Sequence, residues 1–155
     1  LPEGQVSVGW HQDMEYWEPS LEGNLFTAWV AISDVTADSG PMRFVPGSHH
    51  WGLLNSGDFF SSNLDALKKR IQEKSDRDAW QEVPAVLPPG GVSFHHNLTV
   101  HGSGPNLSTT PRVSFAIHLR TENSRVREGV KWQDAGFLND FTDLQGSPIC
   151  YRETG

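Results

Sequence analysis

The sequence predicts a mainly all-β domain, a jelly roll or related barrel with one short inserted helix. Three observations carry this. Short segments rich in β-branched and aromatic residues are separated by clusters of Gly, Pro, Asp and Ser. A single stretch, after Asn63, has helical spacing, and strands and helices do not alternate as a parallel sheet would require. At 155 residues the chain is long enough to bury a core without metal or disulfide staples, so one domain spanning residues 1–155 is expected.

Gln5 to Trp10 alternates polar and apolar residues and reads as a strand that delivers His11 at its end. Leu25 to Ser33 is longer and richer in aromatic and β-branched residues, which marks a central strand. Asp34 to Gly40 turns the chain, by a hairpin or a sheet-switching corner, into a strand over Pro41–Val45 that Pro46-Gly-Ser-His ends. The helix has Asn63 or Asp65 as its cap and Leu64, Leu67 and Ile71 on one face, with Lys68, Lys69 and Arg70 expected on a solvated face. Val83–Leu87 and Val92–His96 are strands separated by the Pro88-Pro-Gly-Gly91 turn, and Val113–Leu119 is another. From Thr121 onward the periodicity fades, and an irregular tail packed through Trp132, Phe137, Phe141 and Tyr151 is expected.

Charge excludes several partners. Twelve basic against nineteen acidic residues give a formal charge of −7, which opposes binding to nucleic acid or to an anionic membrane surface. The lone cysteine, Cys150, has no internal partner, and no apolar run has the length of a membrane span or a secretory signal. A soluble, reducing, cytoplasmic setting is the expectation. The chain opens on Leu1 and reaches its first candidate ligand after ten residues, as a chain lacking its front would. An exposed edge or apolar face there needs covering, and a homo-oligomer is one way to cover it.

The chemistry-bearing residues stand at two places. Trp10-His11-Gln12-Asp13 offers an imidazole and a carboxylate two residues apart, which an extended segment turns to the same side. His101 offers a second imidazole, and Arg112 follows it by eleven residues (112 − 101). Two histidines and one carboxylate on one face of an ion leave the other positions open, as non-haem Fe(II) oxygenases require to hold an organic acid and O2 together. Arg112, with Ser114 on the same strand face, suits the distal carboxylate of 2-oxoglutarate. His49, His50, His95, His96 and His118 compete for the third ligand position. Of these His96 is the main rival, because it shares a strand face with Val92 and Phe94, and it is assigned to a substrate pocket or to the surroundings of the metal. Trp17, close to the metal, is assigned to the same pocket.

These motifs occur in a recognisable order. Trp10-His-Gln-Asp-Met-Glu-Tyr-Trp17, Trp29, Ser39-Gly-Pro-Met-Arg-Phe-Val-Pro-Gly-Ser-His49, Pro89-Gly-Gly-Val-Ser-Phe-His-His-Asn-Leu-Thr-Val-His-Gly-Ser-Gly-Pro-Asn106 and Arg112 together resemble the phytanoyl-CoA dioxygenase (PhyH) family, from about Gly9 to Leu119. The resemblance implies a double-stranded β-helix and 2-oxoglutarate-dependent hydroxylation of a small-molecule substrate at Fe(II), with 2-oxoglutarate converted to succinate and CO2. It implies that His11, Asp13 and His101 are the iron ligands, that Arg112 anchors 2-oxoglutarate, and that Trp29, Ser103 and Ser114 line the co-substrate pocket. Members of the family carry a substantial region before the His-x-Asp motif that this sequence lacks. Related halogenases replace the carboxylate ligand by a small residue, so the retained Asp13 favours hydroxylation. Two other readings stay open on the residues alone: a non-catalytic or incomplete small-molecule-binding jelly roll, and a Zn or Mn cupin-like enzyme on the same three ligands.

Overall fold

Alternation of apolar and polar side chains builds two antiparallel sheets that face each other in the computed structural model, which describes residues 6–75, 80–130, 145 and 147–152. In chain order the described elements are β1 (Val8–His11), α1 (Met14–Trp17), β2 (Leu21–Glu22), β3 (Leu25–Ala31), β4 (Met42–Phe44), α2 (Leu64–Ser75), β5 (Val83–Pro84), β6 (Val92–His96), β7 (His101–Ser103), β8 (Ser114–Arg120) and β9 (Arg125–Val126), with a 3-10 turn at Ser48–Trp51. One sheet has the order β1-β7-β4-β5, the other β6-β3-β8, and β2 pairs with β9. The architecture is the jelly roll of a double-stranded β-helix.

The sheets meet through their inner faces. Trp29, Ala31, Val35 and Ala85 form a buried cluster against which Met42, Phe44 and Leu87 pack. A second cluster of Trp10, Val45, Leu67, Ile71 and Val100 seats α2 against the first sheet, each large side chain contributing about 1.5–3 kcal/mol by its burial. Asn63 starts α2, its Oδ1 accepting the Ala66 N–H at 3.0 Å.

Both long turns switch sheets. Asp34–Gly40 leads from β3 in one sheet to β4 in the other, so it is a corner and not a hairpin. The Pro88–Gly91 turn does the same between β5 and β6; Gly90 takes φ +83° and the Gly91 N–H reaches Pro88 O at 2.9 Å. The strand expected over Val83–Leu87 is reduced to two residues plus an isolated bridge from Leu87 to Val35. Pro84 has no N–H to give, which suits its place on an edge strand.

Of the basic run on α2, Lys69 and Arg70 are exposed and Lys68 is half-buried, as a solvated face requires, and the run also makes specific contacts. Arg70 donates to Ser56 O and Gly57 O, Lys74 to Leu54 O and Asn55 O, and Lys68 pairs with Glu82 while lying 5.3 Å from the Trp80 ring centre. The helix therefore clips the 54–57 segment beside the first sheet. The outer face of β6-β3-β8 leaves Phe94 and Phe115 exposed, at 67% and 61%. Tyr151 is exposed, and the tail aromatics Trp132, Phe137 and Phe141 lie outside the described residues. Among the described residues no helix is long and apolar enough to cross a membrane.

Candidate metal centre

β1 ends at His11 and pairs with β7 so that His11 stands opposite His101, which brings the two rings to 4.2 Å between centres. Asp13 does not reach them by strand alternation. The extended segment has already ended, and Asp13 sits in right-handed helical conformation (φ −54°, ψ −35°) where the chain enters α1. That turn carries its carboxylate back over the histidines: Asp13 Oδ1 lies 3.5 Å from His11 Nε2 and 3.4 Å from His101 Nε2. The three residues are buried, and one donor atom from each lies within 4.8 Å of the other two. Donors that each stand about 2.0–2.2 Å from one ion are separated by roughly 3–3.5 Å, so the set is spaced to share a cation.

The histidines are set for this by the backbone. His11 Nδ1 is 2.8 Å from Gly9 O, and His101 Nδ1 is 2.8 Å from Thr99 O. A carbonyl only accepts, so each Nδ1 carries the proton and each Nε2 presents its lone pair to the centre. Burial, and the neighbouring His101, push the His11 imidazole below its ordinary pKa and favour the neutral ligand form. Burial pushes the Asp13 carboxyl up, but the imidazoles of His101, His11 and His95 gathered around it outweigh that and hold the group well below the usual carboxylate range. Asp13 is therefore an anion facing open lone pairs, which is the charge arrangement a divalent metal neutralises.

A second set of polar groups stands apart from these. Arg112 is half-buried; its Nη1 donates to Ser114 Oγ at 3.1 Å and its guanidinium carbon lies 5.5 Å from the centre of the buried Trp29 ring. Among the described residues no carboxylate pairs with it. Ser114 accepts from the arginine, so its own proton remains available to an acid. Ser103, two residues beyond His101 on β7, is buried with no hydrogen-bond partner for its hydroxyl, and Ser93 Oγ is in the same condition. Unpaired buried hydroxyls, and a guanidinium with no carboxylate partner among the described residues, are groups that an anion with several acceptor atoms would satisfy.

The model of the phytanoyl-CoA dioxygenase (PhyH) family matches residues 2–114. The chain belongs to the PhyH family. It is 28% identical over 125 residues to phytanoyl-CoA dioxygenase domain-containing protein 1 of Danio rerio, covering 81% of this chain and 43% of that protein. Among solved structures it resembles a non-heme monooxygenase (31% identity, TM-score 0.59, 79% of this chain and 43% of that one). It also resembles an epimerase solved in complex with Fe3+, alpha ketoglutarate and nogalamycin RO (27% identity, TM-score 0.59, 84% and 48%). The chain spans about half the length of the curated relatives it matches.

Several residues of this PhyH chain escape a sequence reading. His95, one position before His96, points at the site: its Nε2 is 3.3 Å from Asp13 Oδ2, and the ring centre is 4.3 Å from that of His101. Strand register explains the swap, because His95 stands opposite Thr27 on the inner face whereas His96 stands opposite Phe26 on the outer one. His96 lies over its own loop, its Nδ1 accepting the Leu98 N–H at 3.1 Å, and burial followed by His49 and His50 lowers its pKa. It shares with His49, Phe44 and Thr99 a cleft of about 370 Å³. Trp17 is buried with Met14, Leu21 and Leu25, its indole 4.8 Å from the His118 ring. Gln12, between His11 and Asp13, is wholly buried and bonds Gly52 O, Leu98 O and Leu54 N. The available signal for His95 was the Ser93/His95 alternation within an apolar strand; Gln12 had none.

Proposed function

We propose that this chain is the metal- and co-substrate-binding barrel, a single domain over residues 1–155, of an Fe(II)- and 2-oxoglutarate-dependent oxygenase that hydroxylates a small organic substrate, with 2-oxoglutarate converted to succinate and CO2. The observation that carries this reading is the pairing of a one-sided His11–Asp13–His101 set with the carboxylate-free guanidinium of Arg112. Family membership and the epimerase complex with Fe3+ and alpha ketoglutarate support it. Iron with 2-oxoglutarate and O2 supplies the oxidising chemistry, which no protein side chain offers.

The residues hold and orient. His11 and His101 present Nε2 because backbone carbonyls hold their other nitrogens, and Asp13 supplies the single negative charge. Arg112 gives a planar pair of donors to the distal carboxylate, with Ser114 directing a hydroxyl to the same group and Trp29 forming the floor. Ser103 offers a further unused donor on the His101 side. Burial of the three ligands keeps bulk water from the reacting centre. A Zn or Mn cupin-like reaction leaves Arg112 and Ser114 without a client.

The test is an anaerobic titration of 2-oxoglutarate into the Fe(II)- or Mn(II)-loaded chain, paired with an assay for succinate in air. Arg112→Ala is expected to weaken co-substrate affinity by roughly ten- to a hundredfold, the equivalent of about 1.5–3 kcal/mol, with metal affinity little changed. Arg112→Lys is expected to recover only part of it. Unchanged affinity in Arg112→Ala would refute the assignment, and binding without succinate formation would favour a binding-only barrel.

A further inference from the structure

One row of side chains across the inner face of β6-β3-β8 is unused by the reading above, and it leads, directly or through Thr27, to the far oxygen of Asp13. Register places His95, Thr27 and His118 side by side on the three strands. Thr27 Oγ1 is 2.7 Å from Asp13 Oδ2, His95 Nε2 is 3.3 Å from the same oxygen, and His118 Nδ1 is 3.0 Å from Thr27 Oγ1. Thr27 has one proton. Asp13 has none to give, so the hydroxyl donates to the carboxylate and its oxygen is left as an acceptor. His118 must then carry its proton on Nδ1, and Trp17 packs edge-on against that imidazole.

We propose that Thr27, oriented by His118, is a positioning residue that turns Asp13 Oδ2 away from the metal and holds the carboxylate to one ligating oxygen. His95 Nε2 stands at the same oxygen. This deepens, and rests on, the metal-centre reading. The consequence is a matter of coordination number. A six-position ion with one atom from each of His11, Asp13 and His101 has three positions left, enough for a chelating keto acid and one more ligand; a carboxylate bound through both oxygens takes one of the three. Thr27 and His118 thereby keep a position open without touching either co-substrate.

The experiment is Co(II) titration of the 155-residue chain, followed by visible absorption, which reports coordination number, and then by 2-oxoglutarate addition. Thr27→Val keeps the volume and removes the hydroxyl. It is expected to lower Co(II) affinity tenfold to a hundredfold, the usual cost of losing a partner of a metal ligand, and to shift the Co(II) spectrum. Thr27→Ser is expected to restore both. His118→Leu should weaken Co(II) binding in the presence of Thr27 and add nothing in Thr27→Val, because it acts through the hydroxyl. Should Thr27→Val fail to fold, recovery of the His118→Leu defect in His118→Asn, whose amide reproduces the Nδ1 donor, serves in its place, and no recovery there overturns the proposal. A Thr27→Val chain that binds Co(II) and 2-oxoglutarate like wild type, or a His118→Leu penalty that persists without the hydroxyl, overturns the proposal alone. Absence of Co(II) binding by the wild-type chain overturns it together with the metal-centre reading.

Discussion

Gln12→Ala is the perturbation whose cost the structure defines most closely. The Gln12 amide makes three hydrogen bonds: Nε2 donates to Gly52 O at 2.9 Å and to Leu98 O at 2.7 Å, and Oε1 accepts from Leu54 N at 2.9 Å. These bonds tie the His11–Asp13 segment both to the loop after the 3-10 turn and to the connection that leads into His101. Gly52 is exposed, so its carbonyl rehydrates cheaply when the amide is lost. Leu54 and Leu98 are half-buried, and each loses a bond worth about 1 kcal/mol net with little access to water as a substitute. With a small additional term for the vacated volume, the expected loss is about 2–3 kcal/mol, or about 4–12 °C in Tm for a chain of this size. Urea denaturation at constant m-value measures it. Gln12→Met, which refills the volume without polarity, should recover less than half, and Gln12→Glu, which keeps the acceptor but not the donors and buries a charge, should be no better than alanine. A Gln12→Ala stability within about 0.5 kcal/mol of wild type would refute the claim that this amide joins the segment of His11 and Asp13 to the one that leads into His101.

Further outcomes follow from individual contacts. Gly9→Ala sets a Cβ 1.8 Å from Asp58 O and 2.9 Å from Leu67 Cδ1, so a loss of more than about 3 kcal/mol and weakened metal binding through the adjoining β1 strand are expected in urea and Co(II) titrations. Ser103→Ala removes a buried hydroxyl that has no partner, so stability should stay level or rise by up to about 1 kcal/mol in thermal melts while 2-oxoglutarate affinity falls severalfold. Burial pushes the Glu82 carboxyl up, but Trp80, Lys68 and Arg43 outweigh it and set its pKa below the ordinary 4.5. Its contribution to stability is then complete above pH 4.5 and lost as the pH falls through the lowered folded-state value, so the Glu82→Gln chain should show a flatter acid limb in pH-dependent melts.

Local chemistry was legible in the residues themselves. His11, Asp13 and His101 stand out in the sequence as a candidate metal set, which the fold brings together, and Arg112 as a candidate anion partner, while β3, β6 and β8 announce themselves by alternation and turn residues. Elements of two to four residues, such as α1, β2, β7 and β9, are too short to express a period. Alternation also says which residues share a face without saying which face meets the core. On β6 the apolar set Val92 and Phe94 turns outward with His96, and the polar set Ser93 and His95 turns inward, since this part of the interior is a charged site. Only the packing of one sheet on the other decides that. The same holds for Asp13, which meets the histidines through the turn into α1, and for Thr27 and His118, ninety-one residues apart and joined only because β3 pairs with β8 in one register. Residue type marked which side chains are able to hold a metal and an anion; long-range strand pairing, which no local pattern encodes, decided which of them stand together.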